Sequence, residues 1–121
     1  MPKEQFLTIF QQLKQYLQNY QNHLELKADS AESYTLYISH SPTYNKELFF
    51  GAAQIQKSYV SFHLMPVYMY PDLLKDISPE LKKRMQGKSC FNFTKIDEAL
   101  FAELELLTQA SFEALKDKGD L

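Results

Sequence analysis

The sequence is poor in the features that announce a chemistry. Cys90 is its single cysteine in 121 residues, so no disulfide can form within the chain; a reducing compartment, the cytoplasm, is the expected location. No run approaches the ~18 apolar residues of a membrane span. The opening Met1-Pro2-Lys3-Glu4-Gln5 passes straight into a polar, amphipathic pattern without an apolar signal core, so no membrane partner is expected. A basic excess is also missing: 13 Lys and Arg against 15 Asp and Glu leave a net charge of -2, which gives no global drive toward nucleic acid. The three histidines, His23, His40 and His63, lack metal-ligand spacing, and neither a metal nor another cofactor is predicted. Gly87-Lys88-Ser89 has the ending of a phosphate-binding loop, but Lys82 stands where the earlier glycine is required, and the segment leads into a strand. Asn92-Phe93-Thr94 fits a glycosylation sequon, which means little without a secretion signal.

What is present is the pattern of a folded domain. With 45% hydrophobic residues, a chain of this length can bury a core without staples, and one domain over residues 1–121 is expected. Phe6, Phe10, Leu13, Leu17 and Tyr20 recur in steps of four and three and draw one helical stripe from Lys3 to Tyr20, with glutamines on the solvated side. Leu24, Leu26 and Ala28, then Tyr34, Leu36 and Ile38, alternate about the break at Asp29–Ser33 as a hairpin. Ser39 to Lys46, with Ser41-Pro42 and Tyr44-Asn45, reads as a loop. Two further strands, 49–56 and 59–64, turn at Lys57-Ser58 and place Phe49, Ala53, Ile55, Val60, Phe62 and Leu64 on one face. Pro71 opens a short helical turn, and Ser78-Pro79 caps a second short helix that Gly87 ends. Phe91 and Phe93 mark a fifth strand. Thr94 and Asp97 have the spacing of a capping box before a final helix striped by Ile96, Leu100, Leu104 and Leu107. Strands do not alternate with crossover helices, so the fold class is α+β: a two-layer sandwich in which an antiparallel sheet of about five strands carries the first and last helices on one face.

That arrangement leaves the other face open, bearing Thr35, Tyr37, Gln54, Tyr59, Ser61, His63, Cys90 and Asn92. Beside it, Lys75, Lys82, Lys83, Arg84, Lys88 and Lys95 gather six of the thirteen basic residues, chemistry suited to phosphate or carboxylate. A thiol nucleophile built from Cys90 and His63 is the weaker reading, since a lone cysteine is commonly an apolar filler. No catalytic constellation is predicted. The candidate ligand-binding residues are Tyr59, His63, Arg84, Lys88, Ser89, Cys90 and Asn92.

The stretches Phe50–Ile55, Tyr59–Tyr68 and Ile77–Phe93, covering much of the C-terminal two-thirds of the chain, resemble the YdhG-like family of uncharacterised bacterial domains. The resemblance implies a sandwich similar to frataxin, and it implies iron handling as one candidate role. The resemblance implies that such a role would rest on carboxylates along the first helix and the first strand edge, and here Glu4 is the only acidic residue before Glu25. The sequence therefore predicts a non-enzymatic module binding an anionic small molecule or a protein partner, with an iron chaperone as the alternative and a homodimer through the open face as a further possibility.

Overall fold

The computed structural model describes residues 2–42 and 45–119, with backbone only for 2–4, so Glu4's side chain and Tyr44 lie outside the described residues. Helix α1 spans Pro2–Gln18 and buries the predicted Phe6, Phe10, Leu13 and Leu17 together with Ile9 and Tyr16. A 3-10 turn at Gln21–His23 then leads into β1, Glu25–Asp29, and β2, Ser33–Ser41. Two more strands follow, β3 at Lys46–Ile55 and β4 at Val60–Leu64; after the short helices comes β5, Cys90–Phe93. The five strands form one antiparallel sheet in chain order. Apolar residues of β4 at every second position, Val60, Phe62 and Leu64, are fully buried, as the alternation requires.

Both long helices cover the same face of that sheet. On the α1 side, Gly51 of β3 lies so close beneath the helix that a Cβ there would sit 3.1 Å from Leu17 Cδ2 and 2.8 Å from the His63 carbonyl oxygen. Helix α4, Glu98–Asp117, lays Phe112 edge-on against Phe50 and Phe101 edge-on against Phe93. Its buried Thr108 and Ser111 return their hydroxyls to the carbonyls of Leu104 and Leu107, both at 2.7 Å, so neither is left unsatisfied. Between β4 and β5 lie three short helical pieces where two are expected: α2 at Met65–Met69, a 3-10 turn at Pro71–Leu74, and α3 at Pro79–Lys82. Ser78 caps α3 as predicted, accepting from Leu81 N–H at 3.1 Å. The Glu103 carboxylate in turn takes the Ser78 hydroxyl at 2.7 Å and its backbone N–H at 2.8 Å, clamping α3 to α4.

Several local expectations fail for identifiable reasons. Phe49 is not a core residue, because β3 bulges there: Leu36 pairs with Gly51 and Tyr37 with Phe49, so Phe50 is the extra residue. Phe50 is fully buried and Phe49 turns to the other side. Ile55, near the strand end, is only partly buried. β1 is an edge strand that bulges at Lys27, and its Leu26 remains 38% exposed. The predicted loop from Ser39 is strand as far as Ser41. Ile96 precedes α4 and is exposed, because the N-cap is Asp97 itself, accepting from Leu100 N–H at 3.1 Å, and no capping box forms from Thr94. Gly87 lies well past the end of α3; with a φ of +86° it turns the chain so that Arg84–Gln86 runs back along β5, with Asn92 N–H on the Arg84 carbonyl and Gln86 N–H on the Cys90 carbonyl.

Candidate binding site on the open sheet face

The strand register sets out the uncovered face in rows. Thr35, Ala52, His63 and Cys90 lie side by side across β2 to β5, flanked on one side by Ser33, Gln54, Ser61 and Asn92, and on the other by Tyr37 and Phe49. Thr35, Tyr37, Phe49, Ala52, Gln54 and His63 enclose a shallow hollow of about 380 Å³. Ala52 lies at its floor, 4% exposed.

Three rings form one wall in a continuous chain. Tyr37 meets Phe49 with ring centroids 5.5 Å apart, and Phe49 meets His63 at 6.1 Å, both edge to face. Beyond Tyr37, Lys27 places its ammonium 5.8 Å from the ring centre and pairs with Glu47 at 3.0 Å and Glu25 at 3.4 Å. Gln54 is held in place, donating to Ser33 Oγ at 3.4 Å and accepting from Gln56 at 3.1 Å. By contrast, among the described residues no side chain hydrogen-bonds the His63 ring nitrogens, Thr35 Oγ1 or the Tyr37 hydroxyl.

His63 is half-buried, and loss of solvent lowers its pKa below the ordinary 6.5, favouring neutral imidazole. Cys90, its register partner, is shifted upward by burial, offset in part by a hydrogen bond with the Phe62 backbone. Its thiol lies 3.4 Å from Asn92 Oδ1. Both shifts oppose the thiolate–imidazolium pair that nucleophilic catalysis would need.

Neither a family model, a curated protein nor a solved structure matches the chain.

Of the residues singled out in the sequence, the structure brings His63, Cys90 and Asn92 together on the open face. Tyr59 sits in the bend before β4 and does not line the hollow. Ser89 accepts from Leu64 N–H at 2.9 Å through its carbonyl, in the turn ahead of β5. Lys88 points to Tyr68, its Nζ 5.8 Å from the ring centre. Arg84 lines a different hollow of about 210 Å³, at the corner of α3, β5 and α4, with Lys83, Lys95 and Thr94 but also with Glu80 and Asp97. The expected convergence of His63 with Arg84 and Lys88 is thus divided among three places. Phe49 and Ala52 are the site residues that alternation missed. The available signal was two adjacent phenylalanines ahead of Gly51, since strict alternation cannot send both rings to the core and a strand glycine often marks a bulge. Among the described residues no three of His, Cys, Asp and Glu are grouped to hold a metal ion, and no helix is long and apolar enough to cross a membrane.

Proposed function

We propose that the protein is a non-enzymatic binding module and that the open sheet face is its binding surface. The observation that carries this reading is the hollow over Ala52: aromatic walls beside side-chain polar groups that find no partner among the described residues. Half-buried polar atoms with no protein partner are free to bond a ligand, which can take over the hydrogen bonds of water while its apolar part covers the aromatic wall. A fragment titration followed by amide NMR tests the reading. Saturable shifts should cluster at Thr35, Ala52 and His63 and disappear in Phe49→Ala. Shifts scattered over the surface, or unaffected by that substitution, would remove the site.

A second reading places an anion at the corner hollow. Lys83, Arg84 and Lys95 reach it from two connecting segments, and against Glu80 and Asp97 they leave one net positive charge. Among the described residues none of these three cations forms an ion pair. An anion held there by exposed charges is screened over a Debye length of roughly 8 Å at physiological salt, so its affinity falls as salt rises. Phosphate titration of the parent against an Arg84→Ala, Lys95→Ala double variant decides it; identical responses would leave the cluster as a solvated surface.

A further inference from the structure

We propose that the hollow over Ala52 selects an uncharged aromatic ring bearing a hydrogen-bonding substituent, such as an aryl amide, a phenol or an indole, and discriminates against anions and cations of the same size. This inference rests on the open face being a binding surface, and it names the chemistry of what binds.

Charge is the first ground. None of Thr35, Tyr37, Phe49, Ala52, Gln54 and His63 carries a fixed charge, and burial keeps the imidazole neutral at physiological pH. The charges on the Tyr37 side are already engaged with one another, Lys27 bridging Glu25 and Glu47. Lysine and arginine at positions 83, 84, 88 and 95 lie elsewhere, at the corner hollow or against Tyr68. A charged ligand entering over Ala52 would give up hydration and meet no opposite charge among the residues that line the hollow.

Shape is the second. The floor is a methyl group and one wall is the edge-to-face series Tyr37, Phe49 and His63. A flat ring laid on Ala52 extends this series with the offset and edge contacts that aromatic groups favour. At about 380 Å³ the hollow lies toward the small end of ligand sites, which span roughly 300–1,000 Å³, so one ring or two fused rings fit it better than a nucleotide or a peptide.

Polar complementarity is the third. A neutral imidazole presents one donor and one acceptor, and the hydroxyls of Thr35 and Tyr37 can each play either part. Gln54, held by Ser33 and Gln56, contributes a fixed wall instead of an adaptable one. A substituent with both a donor and an acceptor, as in a carboxamide, matches that set.

The experiment is an isosteric series, benzamide, benzoate and benzylammonium, titrated into the protein at neutral pH and followed by amide NMR, with Phe49→Ala and His63→Ala as variants. Benzamide should move the Thr35, Ala52 and His63 amides saturably, each charged analogue should bind at least tenfold more weakly, and both variants should lose at least tenfold for benzamide while keeping the parent's thermal midpoint within a few degrees. Should a variant unfold, Ala52→Leu, which fills the floor, takes its place and should also abolish the benzamide shifts. Binding of benzoate or benzylammonium as tight as that of benzamide would overturn the ligand class yet leave the face a binding surface. If none of the three moves those amides, both readings fall; and if the amides move with protein concentration alone, the face is a contact between copies of the chain.

Discussion

His63 and Cys90 show how burial decides the chemistry of a single residue. Because burial depresses the folded-state pKa of His63 below 6.5, the unfolded chain binds more protons than the folded one between that lowered value and 6.5. Stability contributed by this group is complete above about pH 6.5, falls as the pH drops through the window, and changes no further below the folded-state value. Urea unfolding at pH 7.5 and at pH 5 should show a larger loss for the parent than for His63→Gln; equal losses would mean that the imidazole is not desolvated. Cys90 leads to a rate prediction. With its thiol shifted upward by burial, its thiolate fraction at neutral pH is below that of an unhindered cysteine, so alkylation by iodoacetamide should be several-fold slower than that of a cysteine-containing peptide and should recover that rate in urea. Reading residues from the sequence worked where alternation was unbroken, as for Phe62 inside and His63 outside, and failed at Phe49, where the bulge inserted a residue that alternation alone does not count.

Among the elements, the short pieces between β4 and β5 depend on a few side-chain bonds. Glu103 accepts two hydrogen bonds from Ser78, and Ser78 caps α3. Glu103→Ala should cost about 1–3 kcal/mol in urea unfolding, since the half-buried Ser78 N–H and the hydroxyl that caps α3 lose their acceptor together, and should speed amide exchange in 80–85 more than elsewhere. Uniform exchange would show that α3 does not depend on the clamp. The approach of α1 to β3 is equally specific. A methyl group at Gly51 would collide with backbone at the His63 carbonyl, so Gly51→Ala should destabilise by about 1–3 kcal/mol despite alanine's better strand and helix propensities. The sequence revealed the long helices and the Ser78 cap because propensity and periodicity agree there. It hid the Glu103 clamp and the Asp97 cap because such bonds join residues through space or compete with an equally plausible neighbour, as Thr94 competed with Asp97.

Over the whole molecule, the buried apolar side chains described, Ala52 of the open face apart, form one cluster between sheet and helices, with Phe62 of β4 fully buried in it. Phe62→Ala should cost roughly 3–5 kcal/mol, read from a shifted urea midpoint at unchanged slope. A cost below ~1 kcal/mol would contradict its packing. The layered architecture was legible because each strand and helix carries one apolar side, and such sides have few ways to be hidden together. The site was only half legible: the rows of the open face follow from alternation, whereas the separation of His63 from Arg84 and Lys88 depends on how the segment 65–89 returns to β5. The placement of α4 also bears on how the protein is made. Strands lie in space in the order in which they are synthesised, so the sheet has all its members once Phe93 has left the ribosome, while Phe101, Leu104 and Phe112, which cover the part of its apolar side that α1 leaves open, are still to follow. For that interval the nascent chain displays an uncovered greasy surface, and a chain stalled before Glu98 should be a client for chaperones that the finished protein does not need.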